Sequence, residues 1–178
     1  MKKMFFLLLL VALPVFATGQ ESKTPATLKS ALVEQLRSTH NKKEWFVPAN
    51  VAVDGLTSEQ AKWTDGKGNH SVGQLTNHLV FWDTRALEDF KGVAHAKFNG
   101  NNDETFNNFD AKQWSELTKQ LDLVMTDWEN AVQAADDAKV AKWATMISDI
   151  ATHNAYHVGQ IVYVRKEQGS WDPEKGVK

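Results

Sequence analysis

The segment from about Trp143 to Gln168 is apolar and free of proline. Within it Met146, Ile150, His153, His157, Ile161 and Val164 recur at steps of three and four, the period of an α-helix and not of a strand. Gly169 follows, at the place where a left-handed residue ends a helix. A helix with one apolar stripe draws most of its stability from elements that cover that stripe. The fold must therefore supply other helices to pack on it.

The remaining sequence contains them. Thr24-Pro25 is expected to start the first helix, because proline is tolerated at the first helical position. Leu28, Leu32, Leu36 and Thr39 keep its spacing, and Pro48 is expected to kink or end it near Val47. Thr57-Ser58-Glu59-Gln60 has the form of a capping box and opens a short helix before Trp63. Asp65 to Asn69 is a turn-rich loop. Ser71-Val72-Gly73-Gln74 is a second capping box, and the helix behind it carries Leu75, His78, Leu79, Trp82, Ala86 and Phe90 before Gly92 stops it. Lys97 to Phe109 is rich in Asn and Gly and reads as a long loop over the end of a bundle. Asp110 and Gln113 start a further helix, with Trp114, Leu117, Leu121, Val124, Trp128 and Ala131 on one stripe and Asp136-Asp137 in its end region. Trp171-Asp172-Pro173 begins a short tail. No repeat and no strand-like alternation is present. These patterns predict an all-α fold: an antiparallel four-helix bundle with a long loop between helices 2 and 3.

The length of 178 residues sets one domain as the default, and seven Trp with nine Phe predict a largely aromatic core. There is no cysteine, which excludes disulfides, thiolate metal sites and cysteine nucleophiles. Residues 1–19 read as a secretory signal: Lys2 and Lys3, then apolar Met4 to Phe16, then Ala17-Thr18-Gly19 before cleavage at Gln20. The apolar part is too short for a comfortable membrane span of about 20 residues, and Pro14 interrupts it. The expected mature domain, residues 20–178, is exported and has no stable membrane insertion. It holds 18 basic against 22 acidic residues, a net charge of −4. That balance gives no support for nucleic-acid binding, which needs a basic face.

Residues four apart on a helix share a face, so His153 and His157 can grip one metal ion. The spacing alone is a weak signal, and a chance pair would look the same. Both lie on the stripe expected to face the core, where two imidazoles repel if charged and need partners if neutral. A shared metal satisfies both. Transition-metal sites usually take at least three protein ligands. His78, on an inward face of another helix with Leu75, Phe81, Trp82 and Arg85, is the natural third; the alternative is a core histidine bonded to a hydroxyl or a carbonyl. His40, His70 and His95 read as polar surface, with His70 a reserve ligand.

Around this trio, Gln160 and Asp149 are placed to accept from a ligating ring. Asp149 is also a candidate fourth ligand or general base. Arg85 is a candidate for an anionic substrate group, with a surface ion pair as the alternative. Tyr156 is a candidate proton donor, with core packing as the alternative. Gly159 is expected to allow close helix packing. Catalytic roles for Asp149, Tyr156 and Arg85 stay open. An ion held by three neutral imidazoles keeps positions for water or substrate, lowers the pKa of its water and polarises a carbonyl.

Ser71-Val72-Gly73-Gln74-Leu75-Thr76-Asn77-His78-Leu79 and His153-Asn154-Ala155-Tyr156-His157-Val158-Gly159-Gln160-Ile161 together resemble the DinB superfamily of small four-helix proteins. The resemblance covers about residues 25 to 172, through Gly169-Ser170-Trp171. It implies a bundle holding a divalent metal, zinc or nickel, on His78, His153 and His157. For activity it implies less, since many members have no known reaction. Members include thiol-dependent S-transferases acting on small electrophiles with bacillithiol or mycothiol, and proteins described as metal-dependent hydrolases. Low-molecular-weight thiols are chiefly cytoplasmic, so an export signal favours the hydrolase. A non-catalytic metal- or ligand-binding bundle is the third reading, since Asn154 stands where His-Glu-x-x-His motifs carry their base. The partner expected is a small-molecule substrate, with homodimerisation left open.

Overall fold

The computed structural model describes residues 25–107 and 109–177, and the leader read over residues 1–19 lies outside them. Every regular element among the described residues is helical. In chain order these are α1 (Leu28–His40), α2 (Ala49–Val53), α3 (Ser58–Lys62), α4 (Val72–Lys91), α5 (Glu104–Asn107), α6 (Trp114–Ala134) and α7 (Asp137–Gln168). Single 3-10 turns at Ala111–Gln113 and Pro173–Lys175 lead into α6 and close the tail. Among the described residues no helix is long and apolar enough to cross a membrane.

Local chemistry sets most helix ends. Thr57 with Gln60, and Ser71 with Gln74, form the two capping boxes the sequence predicts. Gly92 and Gly169 end α4 and α7 at φ 72° and 77°, where a Cβ would be strained. Asp136 accepts from the Lys139 N–H at 2.7 Å and so starts α7 immediately after α6. The first helix departs from expectation at both ends. It starts at Thr27, not Thr24-Pro25, because Thr27 and Ser30 cap each other reciprocally. It ends at His40, well before Pro48, where the N–H groups of Asn41 and Lys42 both return to the Arg37 carbonyl. Pro48 instead sits at the N-cap of α2, where its φ of −75° suits the extended cap conformation.

α1 packs on α6 and α7, and α4 packs on the same two helices. Between them Leu75, Leu79, Leu121, Trp128, Ile147 and Ile161 are fully buried. The core is mostly aliphatic, not aromatic as the composition suggests. Trp114 and Trp128 are buried with their indole N–H groups on the Leu56 and Asp83 carbonyls, whereas Trp45 is 93% exposed. Within the stretch from Lys97 to Phe109, expected as a loop, a short helix, α5, forms, because the Asn101 and Asn102 carbonyls accept from the N–H groups of Glu104 and Thr105. The Phe109 ring fills the space where a Cβ on Gly73 would stand. Gly159 behaves otherwise than expected: a Cβ there would meet nothing, so close packing is not its role.

Two buried polar side chains tie elements together. Arg165 on α7 donates to the Ala52, Asp54 and Ser170 carbonyls at 2.6, 3.0 and 2.9 Å. It thereby satisfies carbonyls at the end of α2. His40 is 1% exposed and not surface. Its Nδ1 pairs with Glu129 Oε1 at 2.6 Å and its Nε2 with Asp122 Oδ1 at 3.0 Å, both on α6, and the Asn41 and Asn50 side-chain amides reach the same two nitrogens at 3.1 and 3.2 Å. His40→Ala should cost about 1.5–3 kcal/mol, the range for hydrogen bonds to charged groups. Urea unfolding of the variant measures this, and a loss near zero would make the cluster an ordinary surface contact.

Candidate metal centre

α7 carries His153 and His157 one turn apart, and α4 brings His78 against them. Ring centroids lie 4.6 Å apart for His153 and His157, 4.8 Å for His78 and His157, and 5.2 Å for His78 and His153. The Nε2 atoms of His78 and His153 are 3.1 Å apart. One ring nitrogen from each of the three lies within 4.8 Å of the others. His78 and His157 are buried and His153 is half-buried.

The outer ring nitrogens are held by the protein. The Thr105 hydroxyl donates to the Asn102 carbonyl at 2.6 Å and so accepts from His78 Nδ1 at 2.5 Å. Asn77 donates to the Thr105 carbonyl at 2.7 Å and fixes that residue in turn. His157 Nδ1 donates to Gln160 Oε1 at 2.6 Å, while Gln160 Nε2 donates to the Tyr156 hydroxyl at 3.2 Å. With both Nδ1 atoms protonated, the Nε2 lone pairs of His78 and His157 are free to face inward. Gln160 is the acceptor the sequence predicts. Thr105 is not foreseen, since it lies 27 residues from His78 on the short helix α5.

Burial and the other imidazoles disfavour charge on these rings. Burial, then His157 and His153, push the His78 pKa down to about 3. Burial, then His157, push His153 to about 4. Burial also lowers His157, with the Gln160 bond acting in the opposite sense. Near neutral pH the cluster is therefore three uncharged nitrogen donors. The inward lone pair of His78 Nε2 lies 3.1 Å from His153 Nε2, where either an Nε2 proton of His153 or a shared cation satisfies it. A set of three imidazoles suits zinc, nickel, copper or iron better than magnesium or calcium. The residues present fit a divalent metal.

The other histidines stay apart from the trio. The Phe106 ring stacks on His78 at 3.9 Å and on His70 at 3.9 Å, so a phenyl ring separates His70 from the cluster and it is no reserve ligand. His95 pairs with Asp89 at 3.0 Å.

Asn154 points away from the trio. It is 1% exposed and donates from Nδ2 to Asp83 Oδ2 at 2.9 Å. Asp83 is wholly buried on α4, and burial raises its pKa to about 7 against the opposing effect of the Asn154 bond. Asp83 Oδ1 and Asn154 Oδ1 have no partner among the described residues. The sequence reading misses Asp83. Its signal was a carboxylate on the same inward side of α4 as Leu79, Ala86 and Leu87.

A cavity of about 920 Å³ opens beside the trio. Trp82, Phe98, Phe106, Ile150 and Met146 line it, with His78, His153 and His157 at one end. Met146 is 39% exposed and faces this space instead of the core; Ile147 is the buried neighbour. Arg85 also lines it and has no ion pair among the described residues. Its guanidinium donates to the Ala96 carbonyl at 2.6 Å and lies 5.4 and 5.9 Å from the Phe81 and Phe98 ring centres. Tyr156 is 64% exposed at the rim and is not core packing. Asp149 is exposed on the α7 wall and makes no side-chain bond to His153.

Fold and site together define an all-helical protein with three buried or half-buried histidines beside an open cavity. The family model of the DinB superfamily matches residues 49–161, more than half of the chain, and the chain belongs to that superfamily. The matched span includes all three histidines and is narrower than residues 25 to 172. DinB-like proteins are metal-binding, in agreement with the donor set. No curated protein and no solved structure matches the chain.

The buried acid beside the trio makes stability depend on pH. The folded pKa of Asp83, about 7, lies above its ordinary value of 3.8. Its contribution to stability is complete below about pH 4 and is lost as pH rises through about 7. Asp83→Asn should therefore gain stability relative to the parent as pH rises across that window, then level off. Thermal melts of both proteins from about pH 4 to 8 measure the difference. A flat difference would show that Asp83 does not titrate in this range.

Proposed function

We propose that this chain is an exported, metal-dependent hydrolase of the DinB type, with α1, α4, α6 and α7 arranged as an antiparallel four-helix bundle. The observation that carries the reading is the convergence of His78, His153 and His157 in the wall of a largely apolar cavity. His78, His153 and His157 would hold a divalent metal, zinc or nickel. When bound, that ion supplies Lewis-acid chemistry, acidifying water and polarising a carbonyl or phosphoryl oxygen. Thr105 and Gln160 hold the Nδ1 protons of two ligands and keep their Nε2 atoms available. Trp82, Phe98 and Phe106 exclude water from one side of the substrate. Asp149 has an exposed carboxylate on the cavity wall one turn before His153, where it can take up a proton. The Tyr156 hydroxyl, held by Gln160 at the rim, can give one.

Export rests on Lys2, Lys3, the apolar run Met4 to Phe16 and Ala17-Thr18-Gly19. It separates the protein from cytoplasmic thiols, which favours hydrolysis over S-transfer. The mature net charge of −4 favours a small molecule over nucleic acid as the partner.

Elemental analysis of the purified protein should give about one metal per chain. His157→Ala and His78→Ala should each remove most of it, and full retention by His78→Ala would break the three-ligand model. Thr105→Val should keep the metal but weaken its affinity about 10- to 100-fold. Turnover of ester, amide or phosphoester panels supports the hydrolase. Thiol-dependent loss of an electrophile would replace it with the S-transferase, and silence in both with tight metal binding would leave a non-catalytic binder.

A further inference from the structure

The cavity follows the groove between α4 and α7. His78, Trp82 and Arg85 mark successive turns along one wall, and His157, His153 and Ile150 mark the other. Arg85 is seven residues from His78, roughly 10 Å along the helix axis. Between the two ends the lining is apolar, with Trp82, Phe98 and Ile150 facing the space.

The charges along this groove are unevenly matched. Asp89 is taken up by His95 at 3.0 Å. Arg85 is half-buried and its only hydrogen bond among the described residues uses Nη2, on the Ala96 carbonyl. That bond and the flanking Phe81 and Phe98 rings hold the guanidinium in the cavity lining, and its remaining N–H groups have no partner among the described residues. Lys97 lines the same side and has no hydrogen bond or ion pair among the described residues. Asp149 stands on the opposite, α7 wall. A planar fork with free N–H groups in a partly desolvated, aromatic-lined site matches a carboxylate.

We infer that the cavity takes a small amphipathic carboxylate, with its anionic group on Arg85 and its apolar body along Trp82, Phe98 and Ile150. The reacting end then lies at the three histidines; this last assignment rests on the metal-centre reading, whereas the Arg85 anchor does not. The helical rise between residues 78 and 85, about 10 Å, sets the length such a ligand has to span.

The test uses 4-phenylbutyrate and its neutral isostere 4-phenylbutyramide, titrated calorimetrically into the full chain, chelator-treated and then zinc-loaded. In the chelator-treated protein the acid should bind about 10-fold more tightly than the amide. Arg85→Gln should abolish that preference while the amide still binds within about twofold of the parent, which also shows that the variant is folded. Arg85→Lys should keep part of the preference. Equal binding of acid and amide, an undiminished preference in Arg85→Gln, or no binding of either probe overturns the proposal. A chain that discriminates acid from amide but takes up no zinc would refute the metal centre and leave the Arg85 anchor standing. One that takes up zinc without discriminating would do the reverse.

Discussion

The bond from His78 Nδ1 to the Thr105 hydroxyl is the contact on which the site depends. A helix can bring an imidazole to a position, but it does not decide which nitrogen keeps the proton. Thr105 decides it, because its own proton is committed to the Asn102 carbonyl. The free Nε2 then meets the Nε2 of His153. Everything proposed for the cavity follows from that orientation: neutral donors turned inward at one end and apolar walls leading away.

The same segment serves more than one purpose. α5 supplies Thr105 to one edge of His78 and Phe106 to its face. Asn102 receives the Trp82 indole N–H at 3.2 Å and so ties the cavity wall to the same connection. Behind the histidines, Asp83 and Asn154 join α4 to α7 in a place where burial makes charge costly. A catalytic or binding site that must stay in register across two helices gains from such a bond. Its directional geometry resists sliding in a way that aliphatic packing does not.

What was legible in the sequence was local or periodic. Capping boxes at Thr57 and Ser71, the left-handed glycines at positions 92 and 169, and the His153–His157 spacing depend on residues within one or two turns. His78 was legible because its helix has one inward face. The histidine at position 40 was misread for the opposite reason. It sits at a helix end, where a surface place is the ordinary expectation, and only α6 supplies its carboxylates. Thr105 and Phe106 act through contacts distant in sequence and had no periodic signal, whereas Asp83 lay in phase with the inward face of α4 and was passed over because a carboxylate is ordinarily solvated. Met146 shows a subtler failure. Its phase on α7 is the phase of the histidines, but at that level the helix face opens onto the cavity and not onto packed side chains. Tyr156 and Gly159 likewise border faces with no neighbour pressed against them.

Gly73 sits in the first turn of α4, where the Phe109 ring occupies the room a methyl group would need. Phe109 follows α5 closely in the chain, and α5 holds the hydroxyl that orients His78. Any side chain larger than glycine at position 73 would have to displace the Phe109 ring, so the first turn of α4 packs against Phe109 only while that position stays bare.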